Sequence, residues 1–232
     1  MSGLKGKIII VTGGHGQLGS AFMKHLNSLG AIPVSWDVNA PNPIDVTQVE
    51  DISHARETIA KEYGKPIHGL INCAAIDTPP GRKPGAWERT IRVNLTAIRN
   101  CVDMVSPRMT EGGSIINIGS IYGEVSPDPR IYPDGFDKPL AYSTTKAALT
   151  GLTKWYAVRL AQQKIRVNLM VLGGVFNRQP KAFVKAYECK VPLGRMAHPS
   201  DYVGGVEFLL GEASRYITGS TITRPQIGRA HV

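Results

Sequence analysis

The chain has 232 residues, 42% of them hydrophobic, with 27 basic and 18 acidic side chains and a formal net charge of +9. That length supports one well-buried core and leaves too little chain for a second domain of ordinary size. The charge is dispersed, with no basic run and no aromatics interleaved with one, which argues against a nucleic-acid partner. No apolar stretch reaches bilayer length, and Cys73, Cys101 and Cys189 lack the spacing of a zinc site or a disulfide framework. The expectation is a cytoplasmic protein with reduced cysteines, no metal site, and neither a nucleic-acid nor a membrane partner.

In chain order, Lys7 to Val11 is a β-branched run stopped by glycines, and Gln17 to Leu29 places Leu18, Phe22, Leu26 and Leu29 at helical spacing. Between them lies Thr12-Gly13-Gly14-His15-Gly16-Gln17-Leu18-Gly19, which contains G-x-G-x-x-G at positions 14, 16 and 19. Glycines let a backbone approach a pyrophosphate, and the following helix N-terminus supplies amide donors and a positive dipole end. A strand before and a helix after favour a dinucleotide site over an ordinary glycine turn. Ile32 to Trp36 predicts the second strand. Asp37 ends it, 23 residues after Gly14, where an acid accepts hydrogen bonds from an adenosine ribose and repels a 2′-phosphate. NAD is therefore favoured over NADP. The alternative is that Asp37 merely starts the turn through Asn39-Ala40-Pro41, and cationic His15 and Lys24 weigh weakly the other way.

Further along, Gln48 to Tyr63 predicts a helix, Ile67 to Asn72 a strand, Trp87 to Val105 a long helix and Ser114 to Ile118 a buried strand. Ala141 to Gln162 predicts a helix, Ile165 to Leu172 a strand and Thr218 to Thr223 a final strand. This alternation predicts an α/β fold: a three-layer, Rossmann-type, doubly wound parallel sheet with helices on both faces. Ligands of such sheets sit beyond the carboxyl ends of the strands. Tyr142 and Lys146, four residues apart on a helix, share a face, so an ammonium can favour the ionised form of a phenol. A tyrosine with its pKa lowered toward neutrality serves as acid in reduction and base in oxidation. Ser120 directly follows the buried strand; a turn or N-cap serine is its alternative reading.

With Tyr142-x-x-x-Lys146, Ser120 and the glycine loop, the chain from Lys7 to Thr223 resembles the single-domain branch of the short-chain dehydrogenase/reductase family. The resemblance implies a catalytic set of Asn94, Ser120, Tyr142 and Lys146. In it Ser120 hydrogen-bonds the substrate oxygen, Asn94 of Arg92-Val93-Asn94-Leu95 supports a water-mediated proton relay, and Lys146 also binds the nicotinamide ribose. It implies a cofactor set of Gly13, Gly16, Gln17, Leu18, Gly19 and Asp37, joined by Tyr142 and Lys146. Asp45-Val46 resembles the pair beside the adenine, and Asn72-Cys73-Ala74-Ala75 resembles the family's Asn-Asn-Ala-Gly segment, which stabilises the sheet and lines the adenosine side, putting Asn72 and Ala74 in the cofactor set. Val175 stands as a backbone partner of the nicotinamide carboxamide.

The sequence also departs from the family. Gln17 replaces the second loop glycine, so that the Gly13, Gly16, Gly19 spacing resembles the extended branch, and Leu172-Gly173-Gly174-Val175 replaces the usual Pro-Gly-x-Val or Ile. The 22 positions from Ser120 to Tyr142 exceed the family's spacing, which makes Ser126-Pro127-Asp128-Pro129 through Lys138-Pro139 an insertion near the substrate. That insertion, with Val175-Phe176-Asn177-Arg178-Gln179-Pro180, resembles a subgroup linked to sugars of bacterial surface glycans and flagellin.

The resemblance thus implies an NAD(P)-dependent oxidoreductase acting on a secondary alcohol or ketone, with a sugar or sugar derivative among the candidates. It also implies a homodimer or homotetramer with the Ala141 to Gln162 helix at an interface. The alternative is a catalytically silent dinucleotide-binding regulator or partner subunit, which has no need of the proton-transfer set. One domain is expected over residues 1–223. Residues 224–232 are expected to be a non-native tail: Arg224-Pro225-Gln226 abandons the family's Val-Asp-Gly-Gly continuation. Ile227 to Val232 back-translates, with a stop, to a common short-read sequencing adaptor. Divergence at a tolerant terminus is the other reading.

Overall fold

The computed structural model describes residues 3–77, 84–136 and 138–224. Six parallel strands form one sheet: β1 (Ile8–Thr12), β2 (Ile32–Trp36), β3 (Ile67–Asn72), β4 (Met109–Ser120), β5 (Arg166–Leu172) and β6 (Thr221–Arg224), in the order β2-β1-β3-β4-β5-β6. β1, β3 and β5 are buried along their whole length, as expected of parallel strands covered on both faces. Their side chains divide by parity. Ile8, Ile10, Leu70 and Ile115 enter one core with α2 (Val49–Tyr63), α4 (Ala97–Val105) and α5 (Leu140–Arg159). Ile9, Val11, Ile71 and Ile116 enter the other with α1 (Gln17–Ser28) and α7 (Ser200–Leu210). The chain leaves β1 toward β2 and returns on the other side to β3, so the crevice of a doubly wound sheet opens between β1 and β3.

The predicted boundaries of β2 and β3 coincide with the observed strands, while the ends of the other predicted elements shift and two of these elements differ for a traceable reason. The expected helix from Trp87 is α3 (Ala86–Ile91), a π-turn at Arg92–Thr96 and α4, because Asn94 is held by a partner outside the helix. The final strand starts at Thr221 rather than Thr218, because Gly219, at φ +67°, first makes a turn whose N–H is taken by Val167. Arg224 accordingly pairs in the sheet, its backbone opposite Leu172. Residues 225–232, on which the expected adaptor-like segment falls, lie outside the described residues. A small fourth core, formed by Ile131 with Tyr187, Val191 and Met196, fixes the insertion against α6 (Lys181–Glu188). No helix among the described residues is long and apolar enough to cross a membrane.

Candidate active site

At the end of β1 the chain turns through Gly13, at φ +67°, and Gly16 caps α1 with no side chain in the way. The first-turn N–H groups of α1 thus face an open cleft, the geometry that binds anions at helix N-termini. Gly13, Gly16, Gln17, Leu18 and Gly19 line a cavity of about 630 Å³ together with Asp37, Asp45, Val46 and Ala74. Asp37 occupies both a turn and the cavity wall. Its carboxylate accepts from the N–H of Asn39 (2.8 Å), as in a turn, and from that of His15 (2.9 Å), yet it lines the cavity. Ala74 is held in place by Thr12, whose Oγ1 accepts from the N–H groups of Cys73 and Ala74, both at 3.0 Å.

Asn72 takes the sheet-stabilising part of the role expected of its segment. It is not among the residues lining the cleft; its Nδ2 donates to Asn117 Oδ1 (2.9 Å), and Asn117 donates to Thr153 (2.9 Å), stitching β3, β4 and α5 together. The pleat turns Asn72 to the α5 face of the sheet beside its register partner Asn117, and Cys73, Ala74 and Ala75 after it line the cleft.

A second cavity, of about 570 Å³, shares Gln17, Leu18, Cys73 and Ala75 with the first, so the two form one elongated cleft. Ser120, Tyr142, Lys146 and Val175 all line it. Ser120, the last residue of β4, accepts at Oγ from the Tyr122 N–H (3.2 Å) and hydrogen-bonds Tyr142. Lys146 Nζ donates to the Ile118 carbonyl (2.8 Å) and lies 5.7 Å from the Tyr142 ring centroid. Close packing fixes this arrangement: a Cβ on Gly123 would stand 2.6 Å from the Lys146 carbonyl carbon, so only glycine lets the turn after β4 sit against α5.

Burial decides the electrostatics. It pushes Tyr142 up to about 12, against the opposing hydrogen bond from Ser120, and Lys146 down to about 8, against Cys73 and Asp77. In the protein by itself, burial is the largest influence on the Tyr142 phenol.

Asn94 stands behind the cleft wall. Its side chain is fully buried and absent from both cavity walls; Oδ1 accepts from the Ile76 N–H and Nδ2 donates to the Ile76 carbonyl, both at 2.8 Å. It clamps the segment after β3 and reaches Thr145 Oγ1 on α5 at 3.5 Å, whose hydroxyl donates to the Tyr142 carbonyl (2.8 Å). π-Turns of this kind recur at functional sites.

The outer wall is aromatic and was not foreseen from the sequence. Tyr122 and Tyr132 share a hydroxyl–hydroxyl bond (2.7 Å), Tyr132 stacks on Phe136 at 4.8 Å and tilts against Phe183 at 5.2 Å. Tyr187 accepts the Gly174 N–H (2.6 Å). Asp128 anchors the insertion by pairing with Arg130 and with Lys190 at the end of α6. Gln17 Nε2 donates to the Phe176 carbonyl (2.6 Å), crossing between the glycine loop and the loop after β5, and the Val175 carbonyl is taken by Gln179 (2.9 Å). Sequence spacing could have flagged only Lys138, which stands four residues before Tyr142 as Lys146 stands four after. No cluster of metal-ligating side chains occurs among the described residues.

A glycine-loop cleft continuous with a serine, a tyrosine and a lysine defines an NAD(P)-dependent oxidoreductase acting on CH–OH groups. A family model described as "Enoyl-(Acyl carrier protein) reductase" matches residues 25–224. The chain is similar to the 3-oxoacyl-[acyl-carrier-protein] reductase of Thermotoga maritima, at 28% identity over 94% of this chain and 96% of that one. It is similar to a solved short chain dehydrogenase of Leptospira borgpetersenii with bound NAD+, at 32% identity, TM-score 0.87, covering 95% and 91% of the two chains. It is also similar to a blue fluorescent protein from a metagenomic library in complex with NADPH, at 25% identity, TM-score 0.86, covering 98% and 99%. The chain belongs to the short-chain dehydrogenase/reductase family.

Proposed function

We propose that the protein interconverts a secondary alcohol and a ketone on a sugar or sugar derivative, using NAD in preference to NADP. The observation that carries the reading is the convergence of Ser120, Tyr142 and Lys146 on one wall of a cavity that runs on into the glycine-loop cleft. The residues fit a dinucleotide: the glycine loop leaves no side chain between α1 and the cleft, and Asp37, Asp45, Val46 and Ala74 surround the far end. A bound nicotinamide supplies the hydride acceptor or donor. Ser120 and Tyr142 together hold the substrate oxygen, and Tyr142 takes its proton in oxidation and returns it in reduction. Lys146, anchored on Ile118, keeps donors for a ribose and a positive charge that favours the phenolate below about pH 8. Asn94 acts by holding Ile76. The sugar reading is supported by the aromatic rings of Tyr132, Phe136 and Phe183, which offer faces to a pyranose, beside the amides of Asn177 and Gln179.

The test is a panel of polyols and sugars assayed at equal NAD and NADP. Turnover of at least one sugar with higher kcat/KM for NAD is expected. Asp37→Ala should shift that ratio toward NADP by about tenfold, or ~1.4 kcal/mol. A wild-type preference for NADP, or activity confined to apolar ketones, overturns the corresponding part of the reading.

Homo-oligomerisation through α5 and a cytoplasmic location belong to the same proposal. Trp155 and Val158 on α5 are 54% and 77% exposed, an apolar face suited to a second copy, and the three cysteines are free. Sedimentation equilibrium should find a dimer or tetramer that Trp155→Glu with Val158→Lys dissociates; a wild-type monomer would refute it.

A further inference from the structure

The insertion brings a second ammonium to the tyrosine. Lys138 Nζ lies 4.8 Å from the Tyr142 ring centroid, closer than Lys146 at 5.7 Å, and 5.7 Å from the Tyr122 ring. It is not a helix neighbour, because α5 begins at Leu140 after Pro139; the loop itself delivers it. The Lys138 side chain is 14% exposed and pairs with Asp77, 46% exposed, across the cavity that both residues line.

We propose that Lys138 is a positioning residue for the reaction: with Asp77 as its counter-ion, it sets how readily Tyr142 ionises. The inference rests on the reading of Tyr142 as the proton-transfer group. A cation on an aromatic face is attracted to the π-electrons, and more strongly to a phenolate than to a phenol, so it favours loss of the proton. A carboxylate nearby opposes that loss. The groups facing Tyr142 are Lys146 from α5, Asp77 and Cys73 from the segment after β3, Tyr122 and Tyr132 from the turn and the insertion, and Lys138. Burial pushes Cys73 to about 11 and Tyr132 to about 12, and raises Tyr122 as well, so these three stay neutral near pH 7. Two cations and one anion are left around the phenol among the described residues, and one cation and the anion are Lys138 and Asp77.

The experiment replaces Tyr142 with a difluorotyrosine, whose lower intrinsic pKa brings its titration into a range the fold withstands. Its fluorine resonance is followed against pH in four backgrounds: wild type, Lys138→Met, Lys138→Arg and Asp77→Asn. Lys138→Met should raise the midpoint by about one pH unit. Lys138→Arg should restore it, and Asp77→Asn should lower it. In the natural protein the acid limb of the oxidation profile should move in the same directions. Met and Asn break the same ion pair, so a purely structural pair makes them act alike, whereas an electrostatic role gives shifts of opposite sign. An unmoved midpoint in folded Lys138→Met, or shifts of the same sign in both variants, overturns the proposal. Should Lys138→Met not fold, the Asp77→Asn shift decides, and a midpoint that stays or rises overturns it. The resonance needs no turnover, so the result stands apart from whether Tyr142 serves as the acid–base group.

Discussion

Tyr142→Phe is expected to lower turnover by about 10²- to 10⁴-fold while NADH affinity changes by no more than about twofold. The substitution removes one hydroxyl and leaves the ring, which sits against Lys138 and Lys146 and fills most of the space. Ser120 keeps a partner in the Tyr122 N–H, so the turn after β4 has no reason to move. Steady-state rates of alcohol oxidation, paired with a fluorescence titration of NADH, separate the two quantities. Undiminished turnover would remove Tyr142 from the chemistry. Loss of both turnover and NADH binding would point instead to a damaged cleft, and the melting temperature would report it.

This site was partly legible before any coordinates, for reasons that can be traced residue by residue. Strands buried on both faces are written as unbroken apolar runs, so β1, β3 and β5 stood out, and the glycine loop was flanked as a dinucleotide site requires. Tyr142, Lys146 and Ser120 were legible because helical spacing and the end of a strand are local facts. The partners of Asn94 and Asn72 were not, since each lies far away in sequence: Ile76, 18 residues from Asn94, and Asn117, 45 from Asn72. The rise of the Tyr142 pKa escaped for the same reason: the sequence displays the lysine but not the depth of burial around the phenol.

Two helices were hidden by composition. α7 carries Gly204-Gly205 in its middle, and α6 has only eight residues after Pro180; neither announces itself by propensity. Both form because their apolar residues have somewhere to go. Val206, Leu209 and Leu210 enter the core under β1 and β3, and Tyr187 closes onto the Gly174 backbone. The aromatic wall follows from that second contact: once α6 is in place, Phe183 and Tyr187 meet an insertion that otherwise reads as a loop rich in proline and aspartate. The aromatic wall was therefore the least readable part, because it is assembled from segments about 50 residues apart that meet only in the folded chain (Tyr132 and Phe183 differ by 51 positions).

Within the glycine loop, one substitution should abolish dinucleotide binding while its neighbours do progressively less. A Cβ on Gly19 would stand 2.1 Å from the Gly13 carbonyl oxygen and 2.8 Å from both the Gly13 carbonyl carbon and the Gly14 Cα, all of them backbone. Nothing there can rotate away, so Gly19→Ala must displace α1 from the loop, and with it the amide donors that face the cleft. Overpacking of this kind costs about 1–3 kcal/mol of stability, and NADH affinity is expected to fall by ~100-fold or more, since about 2.7 kcal/mol of lost contact suffices. At Gly14 the Cβ meets Ser35 Oγ at 2.4 Å and Ser35 Cβ at 2.9 Å; the hydroxyl can turn at the expense of its bond to His15 but the Cβ cannot, so the loop must also shift slightly from β2, and Gly14→Ala should be intermediate. At Gly16 the nearest atom is the Gly13 carbonyl oxygen at 3.2 Å, which a shift of a few tenths of an ångström relieves, and Gly16→Ala should be mildest. Titrating NADH into the three variants, with thermal denaturation as the control for folding, tests the ranking. If Gly16→Ala were as damaging as Gly19→Ala in folded protein, the loop would have to meet the pyrophosphate through Gly16 itself and not through the seating of α1.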